Sequence, residues 1–261
     1  LAEDSPVSQT VAAAMLANLG FHVDVVSDGA DAVDFATRTP YQAILMDCQL
    51  PVLNGYEATN EIRRREAGSR RTPIIAVTAS ALNSDRERCL SAGMDDYLAK
   101  PFNLKVLAVV LARWTTDRAD LIAPVEATEA VPTTALNLTD ADSTRPVLDP
   151  EVVDRLERLG QAAGENLLEQ LSILFLTDAD ARVIALREAL ADHDAGAVVR
   201  SAHLLSGASA NVGATDLARL CAMFATDGAA GELKAGGAQL DAVEAELERV
   251  RVALGTPAPT L

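Results

Sequence analysis

Positive charge is scarce in this chain of 261 residues: 22 Lys and Arg stand against 38 Asp and Glu, a formal net charge of −16. Such a chain is repelled by nucleic acid and by anionic lipid, which excludes nucleic acid as a partner. Long hydrophobic runs are missing as well. Apolar residues make up 49% of the chain, largely Ala, Val and Leu, yet no run approaches the roughly 18 residues of a membrane span. Nor does a basic-then-apolar signal segment open the sequence. These absences predict a cytoplasmic segment without direct membrane contact, with any membrane anchor of a parent protein left to a missing N-terminal part. Cysteine is sparse. Cys48, Cys89 and Cys221 are far apart, odd in number and without metal-ligand spacing, which fits free thiols packed as small buried hydrophobes in a reducing compartment. A Gly-rich nucleotide-binding loop is lacking too, which leaves no ATP site in this segment.

What the chain does contain is two halves of different pattern, in line with a length sufficient for one or two domains. The first centres on the apolar run Ala43 to Met46, which reads as a strand buried on both faces and ends abruptly in Asp47 and a Pro51-stopped loop. Around it, strands and helices alternate. Leu1-Ala2 reads as the end of a strand already under way, which predicts a fragment of a longer polypeptide. Ser5 and Pro6 start a helix that Gly20 stops. A strand over Phe21 to Val26, a helix over Asp31 to Thr37 and the strand Tyr41 to Asp47 follow. Next come a helix from Gly55 to Arg65, a strand Ile74 to Thr78, a helix Ser84 to Ala92, a strand Tyr97 to Ala99 and a helix Asn103 to Trp114. Five β-α units in a row imply a parallel sheet wrapped by helices on both faces.

That topology gathers distant residues. Glu3, Asp4, Asp47, Thr78 and Lys100 each fall at the C-terminal end of a strand, where open α/β sheets place their ligands. Three carboxylates in one pocket repel each other unless a cation joins them, and a hard divalent ion with oxygen ligands, most simply Mg²⁺, resolves the repulsion. Lys100 adds a point charge suited to a phosphoryl oxygen, and Thr78 a hydroxyl. In such a place a carboxylate can attack a phosphoryl group while metal and ammonium neutralise the developing charge.

Glu3-Asp4, Met46-Asp47 with Pro51 and Gly55, Val77-Thr78-Ala79, and Tyr97 with Lys100-Pro101 together resemble the receiver domains of two-component response regulators. The stretch Asp47-Cys48-Gln49-Leu50-Pro51 most resembles the receivers of hybrid histidine kinases. The likeness covers nearly all of residues 1–114 and implies a flavodoxin-like, doubly wound, five-stranded parallel sheet of order 2-1-3-4-5. It further implies that Asp47 is the phosphoacceptor, that Glu3, Asp4, Asp47 and the Gln49 backbone carbonyl hold Mg²⁺, and that Lys100 binds the phosphoryl group. Thr78 and Tyr97 would be the switch pair, the hydroxyl moving to the phosphoryl oxygen and the ring turning inward behind it. Asn54 stands where many such domains carry Asp, a change of turn geometry more than of chemistry.

From residue 115 to 147 periodicity fades into Pro, Ala, Thr and acidic residues, a solvated linker apart from a candidate short helix at Ala119 to Ala123. As a flexible coil, about 33 residues span roughly 30 Å. Residues 148–255 carry only helical periodicity. Helices are predicted from Asp149 to Leu159, from Gly164 on toward Leu190, from Ala197 to Ala210, from Ala214 to Ala225 and from Gln239 to Leu254. They form a bundle with short connections, followed by a tail over 256–261. On the third of these helices Val198, Ser201, Ala202, Leu204, Leu205 and Ala208 take one side, while Arg200, His203, Ser206, Gly207 and Ala210 take the other. His203 is thus predicted to face solvent among small neighbours. His22, in a strand, and His193, in a turn, lack such a setting.

Ala202-His203-Leu204-Leu205-Ser206-Gly207-Ala208-Ser209, with Asn211-Val212-Gly213-Ala214, resembles histidine-containing phosphotransfer (HPt) domains. The resemblance implies that His203 accepts a phosphoryl group and that Gly207 leaves room for a docking receiver. Family members often carry lysine where Ser206 stands; Arg200 is the candidate substitute cation and Ser206 a hydrogen-bond donor. The two resemblances together imply a phosphorelay module, the C-terminal part of a hybrid sensor histidine kinase. A kinase catalytic core absent from this chain would phosphorylate Asp47, and the group would pass to His203 and on to a downstream response regulator receiver. Flow in the reverse direction is chemically allowed. Two alternatives remain at this point. One is a metal-dependent phosphohydrolase, against which Gln49 stands where a leaving-group acid is needed. The other is a phosphorylation-gated binding module with an inactive His203.

Overall fold

The computed structural model describes residues 1–66, 71–78, 83–115, 146–164, 166–231, 233 and 236–255. The first half runs α1 (Pro6–Asn18), α2 (Gly29–Arg38), β1 (Ile44–Asp47), α3 (Gly55–Glu66), β2 (Ile74–Thr78), α4 (Asn83–Ser91), β3 (Asp96–Ala99) and α5 (Leu104–Trp114). β1, β2 and β3 are parallel neighbours in that order, with Leu45 opposite Ile75 and Val77 opposite Leu98.

Three strands form among the described residues, where five were predicted. The two missing ones survive as single parallel bridges, Ala2 pairing with Val26 on one side and with Met46 on the other. Leu1-Ala2 offers only two residues before Ser5 caps α1, accepting from the Ser8 N–H at 3.4 Å. Phe21 gives its N–H to Leu16 at the end of α1 instead of to a ladder. The spatial sequence Val26, Ala2, β1, β2, β3 nevertheless keeps the 2-1-3-4-5 order.

The strand period divides the apolar residues between two layers. Leu45, Ile75, Val77 and Leu98 pack with α1 and α5 through Val11, Met15, Leu107 and Leu111. Ile44, Met46, Ile74 and Ala76 pack with α2, α3 and α4 through Val33, Ile62 and Cys89. Helices therefore cover both faces, as in a doubly wound fold. Two glycines permit the close fit at the strand ends. A Cβ on Gly55 would lie 2.0 Å from the Asp47 carbonyl oxygen, and one on Gly29 would lie 1.9 Å from the Leu53 carbonyl oxygen.

The second half comprises α6 (Pro150–Ala163), α7 (Leu167–Ala191), α8 (Ala195–Asn211), α9 (Thr215–Ala229) and α10 (Gly236–Ala253). Side-chain caps fix the starts of three of them. Asp149 accepts from Glu151 at 2.9 Å, Asn166 from Glu169 at 3.4 Å and Asp194 from Ala197 at 2.9 Å. Asp194 thereby starts α8 two residues before the predicted Ala197. Phe175 and Phe224 are fully buried at the bundle centre. The linker and its candidate helix at Ala119 to Ala123 lie outside the described residues, as does the tail.

The halves meet through α1, which packs against α6, α7 and α8. Val7, Ser8, Val11, Ala12, Met15 and Leu16 are all buried, an arc broader than the single stripe a sheet requires. One continuous apolar cluster accordingly runs from Leu45 and Val77 through α1 to Leu171 and Leu205.

Candidate functional site

β1 carries Asp47 to the edge of the sheet, where it is buried, and the Gln49 N–H donates to its Oδ1 at 2.8 Å. Ala2, bridged to Met46, carries Glu3 and Asp4 alongside. One carboxylate oxygen from each of Glu3, Asp4 and Asp47 lies within 4.8 Å of the others. β3 delivers Lys100, whose N–H pairs with the Thr78 carbonyl at 2.7 Å. Its Nζ donates to Glu3 Oε2 at 2.6 Å and to Asp47 Oδ2 at 2.5 Å. Thr78 is buried at the end of β2. The sequence-predicted cluster is assembled.

The electrostatics follow from burying three acids beside one base. Burial pushes the Glu3 carboxyl up to about 7; Lys100 opposes the shift and Asp47 adds to it. Burial and the Asp47 charge push Asp4 up to about 6. Burial disfavours the Lys100 ammonium, but Asp47 and Glu3 outweigh it and its pKa is raised. Asp4 Oδ1 is buried without a hydrogen-bond partner. An orphaned carboxylate oxygen beside two more acids is the donor set a hard divalent cation takes, so the residues present fit Mg²⁺.

Tyr97, half-buried at the start of β3, packs in the second layer, with the Arg86 guanidinium 6.0 Å from its ring centre. Asn54 does the work of a helix cap: it accepts from the Glu57 N–H at 3.0 Å while Glu57 accepts from the Asn54 N–H at 3.1 Å.

His203 was predicted to face solvent; it faces the first half. It lines a cavity of about 500 Å³ whose walls also include Glu3, Asp47, Lys100, Ser206 and Gly207. Burial lowers its pKa, Asp47 works the other way and Lys100 adds to the lowering, so the charges of the first half reach the imidazole. The neutral ring is the nucleophilic form. A Cβ on Gly207 would touch nothing within 4 Å. Ser206 donates its hydroxyl to the Ala218 carbonyl at 2.8 Å, a bond within the bundle. Arg200 reaches back toward Gly196, its guanidinium 3.2 Å from where a Cβ would sit. His22 lines a separate cavity near Phe21 and Tyr41, and His193 sits in the α7–α8 turn with φ 56°.

Sequence reasoning did not find the residues that join the halves. Asn211 Nδ2 donates to Ser8 Oγ at 2.9 Å across the interface. Arg182, held by Asp178 at 3.3 Å on α7, exerts its charge on Asp4. The available signal was α1 itself, whose apolar residues exceed one face.

The response regulator receiver domain family matches residues 1–112 and the Hpt domain family matches residues 170–253. The sensor protein GacS of Pseudomonas syringae pv. syringae is 32% identical over 222 residues, 84% of this chain and 23% of that protein. The aerobic respiration control sensor protein ArcB of Escherichia coli (strain K12) is 28% identical over 221 residues, 84% of this chain and 26% of that protein. The chain thus spans about a quarter of the length of these curated relatives. The receiver domain of the sensor histidine kinase PA1611 from Pseudomonas aeruginosa PAO1, solved with a magnesium ion coordinated in its active-site cleft, is 60% identical. It covers 44% of this chain and 93% of that one, with a TM-score of 0.41. No helix among the described residues is long and apolar enough to cross a membrane. On these matches the chain belongs to the two-component phosphorelay proteins, as a response regulator receiver domain followed by an Hpt domain.

Proposed function

We propose that the chain moves a phosphoryl group between Asp47 and His203 within one molecule. The group would arrive from the catalytic core of a histidine kinase and leave for the receiver of a separate response regulator. The observation that carries this is the shared cavity: Asp47, Lys100 and His203 line one space of about 500 Å³.

In the forward step an Asp47 carboxylate oxygen attacks the incoming phosphorus, and the bond from phosphorus to the donor breaks. In the second step the unprotonated ring nitrogen of His203 attacks the aspartyl phosphate. The new N–P bond forms as the acyl O–P bond breaks, Asp47 leaves as a carboxylate, and the proton on the other ring nitrogen is released to solvent. Lys100 neutralises charge on the phosphoryl oxygens in both steps. Mg²⁺, held by Glu3, Asp4, Asp47 and the Gln49 backbone carbonyl, would supply Lewis-acid stabilisation of the same oxygens. Thr78 and Tyr97 serve as the switch pair that reads the state of Asp47.

A second reading, a receiver that gates partner docking over a weakly active His203, draws support from Ser206, whose hydroxyl proton is committed to Ala218. Incubation of the chain with a small acyl phosphate and Mg²⁺ separates the two. The relay reading expects acid-labile phosphate at His203 and acid-stable phosphate at Asp47, with His203→Gln leaving only the latter. Label confined to Asp47 in the wild-type chain would refute transfer and favour gating.

A further inference from the structure

The walls of the cavity between the halves are mostly small and apolar, with Val11, Ala12 and Met15 of α1 on one side and Gly207, Ala210 and Ala225 of the bundle on the other. Apolar contact of this kind is non-directional: it favours association without fixing how one helix is turned on the other. In-line phosphoryl transfer is far more demanding, since a misplacement of about 1 Å costs roughly a hundredfold in rate. Something directional has to set the register.

We infer that the Ser8–Asn211 hydrogen bond is that register: a pair of positioning residues that orients the Hpt bundle on its own receiver for transfer between Asp47 and His203. The inference rests on the relay reading above. Ser8 is buried on α1, one turn beyond Asp4, and its Oγ accepts from Asn211 Nδ2 at 2.9 Å. Asn211 closes α8, eight residues after His203, which at 1.5 Å per residue places it about 12 Å further along the helix axis. A fixed point at that distance controls tilt. A rotation of about 5° of α8 over the receiver displaces one end relative to the other by about 1 Å, the scale on which transfer fails.

The pair also separates this receiver from others. Any second receiver that takes the phosphoryl group from His203 has to occupy the face α1 now covers, so α1 must first leave. A partner whose own first helix lacks a hydroxyl at the Ser8 position would dock there without the cross-link, and turn on α8 differently.

The test uses the full chain, a small acyl phosphate and Mg²⁺, with Ser8→Ala, Asn211→Ala, their combination, and Ser8→Thr. The rate of Asp47 labelling and the later transfer to His203 are followed separately. Each single alanine variant should label Asp47 at the wild-type rate yet transfer to His203 about tenfold more slowly. The double variant should lose no more than the worse single one, because one shared bond is removed. Ser8→Thr, which keeps the hydroxyl, should transfer as the wild type does. A general loss of structure would slow Asp47 labelling as well and would not spare the threonine variant. Wild-type transfer rates in the single variants, or losses that multiply in the double, would overturn the inference alone. A wild-type chain that labels Asp47 and never His203 would overturn the relay reading, and the inference with it.

Discussion

In the absence of metal, Glu3 should make the receiver less stable as pH rises toward neutrality. Its carboxyl is pushed from an ordinary 4.5 up to about 7. Between those values the folded chain keeps a proton that the unfolded chain has lost, so folding takes up a proton there and stability falls with rising pH. The contribution is fully favourable below 4.5 and is lost by about 7. At about 1.36 kcal/mol per pH unit the gap amounts to about 3 kcal/mol. Another group titrates in the same range, Asp4 at about 6, so the clean quantity is a difference between two chains. Glu3→Gln lacks the titration but keeps the rest. Urea unfolding in the presence of a chelator isolates the receiver half when followed by the fluorescence of Trp114, the single tryptophan. Trp114 ends α5 and donates its indole N–H to Asp96 at 2.9 Å. The stability of wild type minus Glu3→Gln should fall by about 2–3 kcal/mol from pH 5 to 7.5. Added Mg²⁺ should offset that fall, because only the ionised cluster binds it; at a hundred times its dissociation constant the gain is about 2.7 kcal/mol. A difference that stays flat across this range, or one that grows with pH, would refute the burial argument for Glu3.

Other outcomes follow from the same contacts. Gly55→Ala puts a methyl group 2.0 Å from the Asp47 carbonyl oxygen, so it should destabilise the receiver by about 1–3 kcal/mol or more and slow Asp47 labelling, as urea melts and label uptake would show. Cys48 and Cys221 are buried with thiols pushed up to about 12; in the folded chain at pH 8 both should resist iodoacetamide, and both should react once urea unfolds it. Replacing Lys100 by Met removes a charge that lowers the His203 pKa, so an NMR titration of the His203 ring should move upward. An unmoved titration would show that the lysine does not reach the imidazole in solution.

Most of the receiver was legible because its signals are local or periodic. The run Ile44–Asp47 carries its own end in the carboxylate, and β2 was placed at Ile74–Thr78 as observed. The site followed because a parallel sheet sends every strand end to one edge, which makes Glu3, Asp4, Asp47 and Lys100 neighbours by topology alone. The outer strands were not legible in this way. Phe21 to Val26 alternates like a strand, but its pairing depends on a two-residue partner, Leu1-Ala2, and only Val26 joins the ladder. The orientation of His203 was also beyond the pattern. Helical periodicity gives the face of α8 opposite the bundle core; whether solvent or another domain covers that face is a long-range property. Residue types could not say that Ser8 and Asn211 meet, because 203 positions separate them.

The bond from Ser206 to the Ala218 carbonyl bears on how charge would be supplied to the proposed relay. An Hpt bundle that met phosphate with a lysine of its own would stabilise phosphohistidine wherever it docked. Here Arg200 turns toward Gly196 and the Ser206 hydroxyl donates to the Ala218 carbonyl. The ammonium that does act on the imidazole is Lys100, which sits on the receiver and also bridges Glu3 and Asp47. One cation therefore attends both Asp47 and His203 in the arrangement of the halves seen here. Under the proposed relay, negative charge on a phosphoryl group passing from Asp47 toward the ring would stay within reach of the same ammonium, and neither end state would require a second one to be desolvated. On the same proposal, withdrawal of α1 would cost His203 that neighbour and leave it dependent on a cation of whichever receiver replaced it. The docked receiver would then be more than a source of phosphate: it would complete the cationic half of a site whose histidine belongs to the other domain.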